Sequence, residues 1–149
     1  MPNNVRIYFR PYTQQSTTRA LNYFNLLHVD IWGPYPHRTY NGSRFFLTIV
    51  DDHSRATWVH LLAYKSNAFS LLKAFVSFVK AQFGGTVQVI RSENGMEFQD
   101  DSALAFYGDK GILYQTTCVD TPQQNGIIER KHQNLLQVTR ALMFQSNVP

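Results

Sequence analysis

Apolar positions follow two periods along this chain, and the order in which the periods change predicts its architecture. The run LLHVDIWGP starting at Leu26 stops at Gly33-Pro34, and RFFLTIVDD (44–52) resumes after the turn-forming pair Asn41-Gly42, the pattern of two strands in a hairpin. A third run, ATWVHLLAY (56–64), follows a short polar connection, so the spacing predicts an antiparallel meander. Helical spacing then takes over: Ala68, Leu71, Leu72, Phe75, Val76 and Val79 form a broad apolar stripe, with Asn67 placed to cap its start and Gly84-Gly85 to stop it. TVQVIRSE (86–93) reads as a strand, DDSALAFYGDKG (100–111) as a short helix and ILYQTTCV (112–119) as another strand. The polar loop DTPQQNG (120–126) leads into a last helix from Ile127 to about Phe144, with Ile128, Leu135, Val138 and Leu142 on its core face. Strands in a meander followed by strands alternating with helices predict an α/β fold, a mixed sheet with helices packed on it. Residues 1–23, polar and aperiodic, read as an extended lead-in, and residues 24–149 as one domain.

Composition narrows the class. Of 149 residues, 44% are hydrophobic and 16% charged, a globular balance that excludes disorder. The net charge of +4 favours a polyanionic partner, a weak signal by itself. Cys118 is the only cysteine, which excludes an intrachain disulfide and a zinc cluster and fits a reducing compartment. The first residues lack an apolar signal core and no apolar run reaches membrane-spanning length, so the expectation is an intracellular protein, nuclear or cytoplasmic, with no membrane partner.

Three acids carry the chemistry. Asp30 interrupts an apolar strand between Val29 and Ile31, where an unpartnered carboxylate would suffer desolvation. Glu93 closes another strand, and Glu129 stands in the first turn of a helix, where the helix dipole favours negative charge with no further duty. Each has a plain explanation taken singly: a hydrogen-bonded or solvated acid at the end of an element. Taken together, acids from two strand ends and a helix start can converge at one sheet edge. There they would repel one another unless cations intervened. Mg²⁺ prefers such oxygen donors, and two ions about 3.5–4 Å apart suit an in-line phosphoryl displacement. Spacing alone leaves Asp51, Asp52, Glu97, Asp100 and Asp101 as competitors.

HVDIWGP (28–34), FFLTIVDDHSRATWVHLL (45–62), VQVIRSENGMEF (87–98) and TPQQNGIIERKHQ (121–133) stand in this order, with thirty-five residues between Glu93 and Glu129. In these four strings, over residues 24–149, the chain resembles the integrase catalytic core of copia-type LTR retrotransposons, a retroviral-type integrase of the RNase H-like superfamily. The resemblance implies a five-stranded mixed sheet, a three-strand meander plus two parallel strands, flanked by helices. It further implies DNA integration by metal-dependent polynucleotidyl transfer at Asp30, Glu93 and Glu129, with Mg²⁺ as cofactor and Mn²⁺ as a substitute. The partners it implies are DNA, both element ends and target, and further copies of the chain in a homo-oligomer. Asp51 and Asp52 belong to the resembling strings as structural residues, with His53 and Arg55 as turn residues after them.

The loop Gln123, Gln124, Asn125 and Gly126, with Arg130 and Lys131 beyond Glu129, is then expected to contact DNA, since amides and cations suit bases and phosphates. A helix lead-in and ordinary exposed charge would explain the same residues without function. Trp32 and Trp58 suit core positions better than base stacking. Two departures stand out. The family pattern carries aspartate where this chain has Glu93, and one extra methylene disturbs a metal that demands near-ideal octahedral geometry, so impaired catalysis is expected. The family also places a zinc module upstream and a further region downstream, so the core is expected to be truncated at its C-terminal end, either a fragment or an inactive relic that only binds nucleic acid or a sister subunit.

Overall fold

The computed structural model describes residues 19–93 and 95–116. Within them the chain forms β1 (Leu26–Trp32), β2 (Phe45–Asp51), β3 (Thr57–Leu62), α1 (Ala68–Phe83), β4 (Val89–Ser92), α2 (Asp101–Lys110) and β5 (Leu113–Thr116). The sheet order is β3-β2-β1-β4-β5. β1 pairs antiparallel with β2, and β2 with β3, while β1 pairs parallel with β4, and β4 with β5. This is the expected meander extended by two parallel strands. Because β2 alone runs the other way, the carboxyl ends of β1, β3, β4 and β5 share one edge.

Register settles which side chains face the core. Val29 lies opposite Ile49 and Ser92, and Leu27 opposite Ile90, so these residues share one face. The core forms between that face and the two helices, from Leu27, Val29, Leu47, Ile49 and Ile90 on the strands and Leu72, Phe75, Val76, Val79, Ala103 and Tyr107 on the helices. His28, Asp30, Thr48 and Val50 occupy the opposite face. Trp58 is buried in the core beside Phe24 and Phe75, as expected. Trp32 falls on the second face, half-buried, and stacks on Phe46 at 6.3 Å.

Helix ends follow local chemistry with one correction. Asp100 caps α2 by accepting a hydrogen bond from the Ala103 N–H at 2.7 Å, and Gly84 and Gly111 end the helices in left-handed conformation. Asn67 does not cap α1 with its side chain. A 3-10 turn over Lys65–Asn67 precedes the helix, so Asn67 already has helical backbone angles and lacks the extended geometry a side-chain cap requires. β4 is shorter than the run 86–93 implies: Val87 is buried ahead of the strand, and the Val89 N–H bonds the Asn25 carbonyl, so pairing starts there. The helix expected over 127–144 and the end of the strand expected over 112–119 lie outside the described residues. No helix among the described residues is long and apolar enough to cross a membrane.

Candidate active site

Parallel pairing of β1 with β4 brings two of the expected acids together. Val29 opposite Ser92 is the last pair of this ladder, so Asp30 and Glu93 are the next positions on adjacent strands, at their carboxyl ends. They are close enough that the charge of Glu93 acts on Asp30. Burial pushes the Asp30 carboxyl from its ordinary 3.8 up to about 7; the hydrogen bond from the Ile31 N–H opposes this, Glu93 adds to it, and Lys65 lowers it again. The Ile31 bond is 2.8 Å long. Glu93 itself is exposed.

Lys65 is a member of this site that sequence reasoning missed. Its string, YKSN after a strand, has no signal beyond an exposed lysine. Its relevance arises because β3 runs parallel to β1, which returns the residues after Leu62 to the edge where Asp30 stands. The Lys65 ammonium also lies 6.0 Å from the Phe45 ring centroid. Beside Glu93, the Ser92 and Tyr114 hydroxyls hydrogen-bond to each other across β4 and β5, and Arg91 grips the Gln115 amide oxygen through Nε and Nη2 at 3.2 and 2.9 Å. These contacts brace the strand that carries Glu93.

Four of the competing acids are accounted for elsewhere, and Glu97 lies in the 3-10 turn Met96–Phe98 that follows β4. Asp51 and Asp52 sit at the opposite end of β1, fully buried in a polar cluster. Asp51 accepts from the Phe24 N–H (2.9 Å) and from the Ser54 N–H and hydroxyl (3.1 and 2.6 Å). Asp52 accepts from the Ala20 N–H at 2.6 Å and pairs with His28 Nε2 at 2.9 Å and Arg55 at 3.2 Å. Burial alone would raise the Asp52 carboxyl, but these hydrogen bonds and the His28 and Arg55 charges hold it below the usual carboxylate range. Asp100 is the α2 cap and Asp101 lies in the first turn of α2. His53, in the turn after Asp52, donates from Nδ1 to the Ala20 carbonyl at 2.7 Å.

Glu129, the loop residues Gln123, Gln124, Asn125 and Gly126, and Arg130 and Lys131 lie outside the described residues. Among the described residues no group of three His, Cys, Asp or Glu side chains is gathered for a metal. The donor set at the edge nevertheless fits a hard divalent cation: two carboxylates on neighbouring strands, one of them strained toward the neutral form by burial and by the other's charge. A cation there would remove both penalties.

Three comparisons bear on this geometry. The model of the integrase core domain family matches residues 23–122. The retrovirus-related Pol polyprotein from transposon TNT 1-94 of Nicotiana tabacum is 30% identical over 136 residues, 91% of this chain, and the chain spans only 10% of that polyprotein's length. Among solved structures, the HTLV-2 integrase catalytic core domain in complex with magnesium, in trimeric form, is similar with a TM-score of 0.63 at 19% identity over 88% of this chain and 80% of that one. A chain of the simian T-cell lymphotropic virus intasome in complex with PP2A regulatory subunit B56 gamma gives a TM-score of 0.69 at 18% identity, covering 99% of this chain and 51% of that one. At such identities the likeness establishes the fold, which is RNase H-like.

Proposed function

We propose, for a chain that belongs to the integrase core domain family and is of the LTR-retrotransposon kind, that it carries out polynucleotidyl transfer on DNA ends with Asp30, Glu93 and Glu129 as its metal-binding carboxylates. The observation that supports this most is the Asp30–Glu93 pair at the carboxyl ends of adjacent parallel strands, with Asp30 raised by burial and by its neighbour. Two carboxylates side by side, one of them raised by burial and by the charge of the other, suit a hard divalent cation. Bound there, Mg²⁺ or Mn²⁺ would supply Lewis-acid charge neutralisation for phosphoryl displacement.

The chain's own residues supply position. Asp30 is held on β1 opposite Thr48 of β2, one residue beyond the last pair with β4, and Glu93 follows a strand braced by Arg91–Gln115 and Ser92–Tyr114. Lys65 places positive charge near Asp30, which would suit a DNA phosphate. Gln123, Gln124, Asn125, Gly126, Arg130 and Lys131 would hold the DNA. In both transfer steps a hydroxyl, first of water and then of the DNA 3′ end, attacks phosphorus in line and expels the opposite oxygen. No covalent protein intermediate is required, so positioning and electrostatics make up the protein's contribution. Residues 24–149 form the core domain in this reading, working as a homo-oligomer inside the cell.

Glu93 supports a second reading. An extra methylene at this position displaces a ligand from a cation that tolerates little displacement, which leaves a relic that binds DNA or a sister subunit without turnover. Nicking of a short duplex in Mg²⁺ or Mn²⁺ by the purified chain separates the two, with Asp30→Asn as blank and Glu93→Asp as the restored site. Activity in the unaltered chain that the blank lacks is the expected result. Activity only in Glu93→Asp would establish the relic, and silence in all three would sink the enzymatic reading.

A further inference from the structure

The connection from β1 to β2, residues 33–44, leaves the sheet at the same edge as Asp30 and has a conformation that burial does not explain. At its neck, an added Cβ on Gly33, whose φ is +123°, would lie 2.5 Å from the Arg44 carbonyl oxygen, so only glycine lets the two arms approach this closely. The Tyr35 N–H donates to that same oxygen at 2.9 Å, and Arg44 Nε donates to the Tyr35 carbonyl at 3.0 Å. The Arg44 N–H is bonded to the Leu62 carbonyl at 3.0 Å, tying the neck to β3. Further out, the Thr39 N–H bonds the Ser43 carbonyl at 2.9 Å, the Ser43 N–H bonds Thr39 Oγ1 at 3.0 Å and the Gly42 N–H bonds the Thr39 carbonyl at 2.8 Å. The loop is therefore a hydrogen-bonded lobe.

Its tip is the most exposed part. Tyr40 has a relative accessibility of 105%, and His37 and Arg38 are exposed beside it. An ordered loop that keeps its largest aromatic in water gains nothing in folding from that side chain. From Ile31 to Val50 the sequence contains Arg38, Arg44 and His37 and no acid, next to an edge that otherwise bears carboxylates. At the base of the lobe Trp32, Phe46 and Tyr35 stack in succession, at 6.3 and 5.6 Å with nearly parallel planes, on the sheet face that carries Asp30. A preformed arm combining a cation with a fully exposed ring fits a nucleic-acid strand better than an acidic polypeptide, which would use the charge and leave the ring idle.

We propose that this lobe is a DNA-contact surface flanking the acid pair, in which Arg38 binds a backbone phosphate and Tyr40 stacks on an unpaired base of the strand being positioned. The inference rests on the reading of the chain as a DNA-processing core and adds to it the residues that hold DNA beside Asp30. A base inside a duplex is already stacked, so the ring selects frayed or single-stranded DNA.

The test is fluorescence anisotropy of a short labelled duplex, blunt or with an unpaired tail, titrated with the full chain over a range of salt. Arg38→Ala is expected to lower the slope of log affinity against log salt by about one on both DNAs. Tyr40→Ala is expected to weaken the tailed duplex about tenfold more than the blunt one, with Tyr40→Phe binding like the unaltered chain. Lys110→Ala, at the end of α2 away from the acid edge, is the control and should bind as the unaltered chain does. Variants of Arg38 and Tyr40 that bind both DNAs as the unaltered chain does overturn the lobe while leaving the DNA-processing reading intact. An equal loss in Lys110→Ala, or competition by poly-glutamate as strong as by DNA of equal charge, also overturns it. An unaltered chain that fails to bind DNA at low salt overturns the lobe and the underlying reading together.

Discussion

The two ends of β1 hold acids in opposite states. At its start, Asp51 and Asp52 are almost wholly buried, yet the Asp52 carboxyl stays below the usual range because Ala20, His28 and Arg55 meet it with donors and charge. At its far end Asp30 is less buried, yet its carboxyl is pushed up to about 7, because burial and Glu93 outweigh the Ile31 N–H and Lys65. The donors and charges around each carboxylate, together with its burial, set its state. The first cluster holds residues 20–24 onto the sheet.

The largest effect is expected at the Asp51–Asp52 end. Asp52→Ala removes the carboxylate that His28 and Arg55 share inside the fold, and removing one partner of such a buried pair costs about 3–5 kcal/mol. Chemical denaturation should register this loss. A small change in midpoint would mean that the cluster is not what anchors the start of β1.

The two acids respond to pH in opposite directions. In chelator, Asp30 keeps its proton in the folded chain at pH values where the unfolded chain has lost it, so its contribution to stability falls as pH rises from about 4 to about 7. Asp52, whose folded carboxyl is depressed, contributes stability above the usual carboxylate range that is lost as pH falls below it. Millimolar Mg²⁺ should then raise the melting temperature more at pH 8 than at pH 5, and Asp30→Asn should abolish that difference. An equal effect of Mg²⁺ at both values would separate cation binding from Asp30.

The smallest effect belongs to Ser54→Ala. It removes the hydroxyl that donates to Asp51 at 2.6 Å, a loss of about 1 kcal/mol, with nicking unchanged. A fall in activity without a fall in stability would show that the two ends of β1 communicate.

Much of this was legible beforehand. The strings HVDIWGP, RFFLTIVDD and ATWVHLLAY break close to where their strands do, since strand pattern and turn chemistry are local properties, and the α1 stripe matched its buried face apart from Phe69, which helical spacing alone did not select, and Leu71, which is only partly buried. Asn67 was misplaced because a 3-10 turn, fixed by how β3 hands over to α1, lies upstream of it. The roles of Lys65 and of the 33–44 lobe were not legible, because each depends on which elements end at the same sheet edge.

From the sequence came the described strands and helices to within a few residues, the meander, the family resemblance and Asp30 and Glu93 as candidate acids, because hydrophobic period, glycine and proline positions and linear motifs are written residue by residue. That Asp30 and Glu93 are neighbours, that Asp51 and Asp52 are satisfied at the other end, and that Lys65 shares the acid edge emerges in three dimensions alone. Those facts come from strand register and direction, and the electrostatic state of a carboxylate depends on donors and charges supplied by residues distant in the chain.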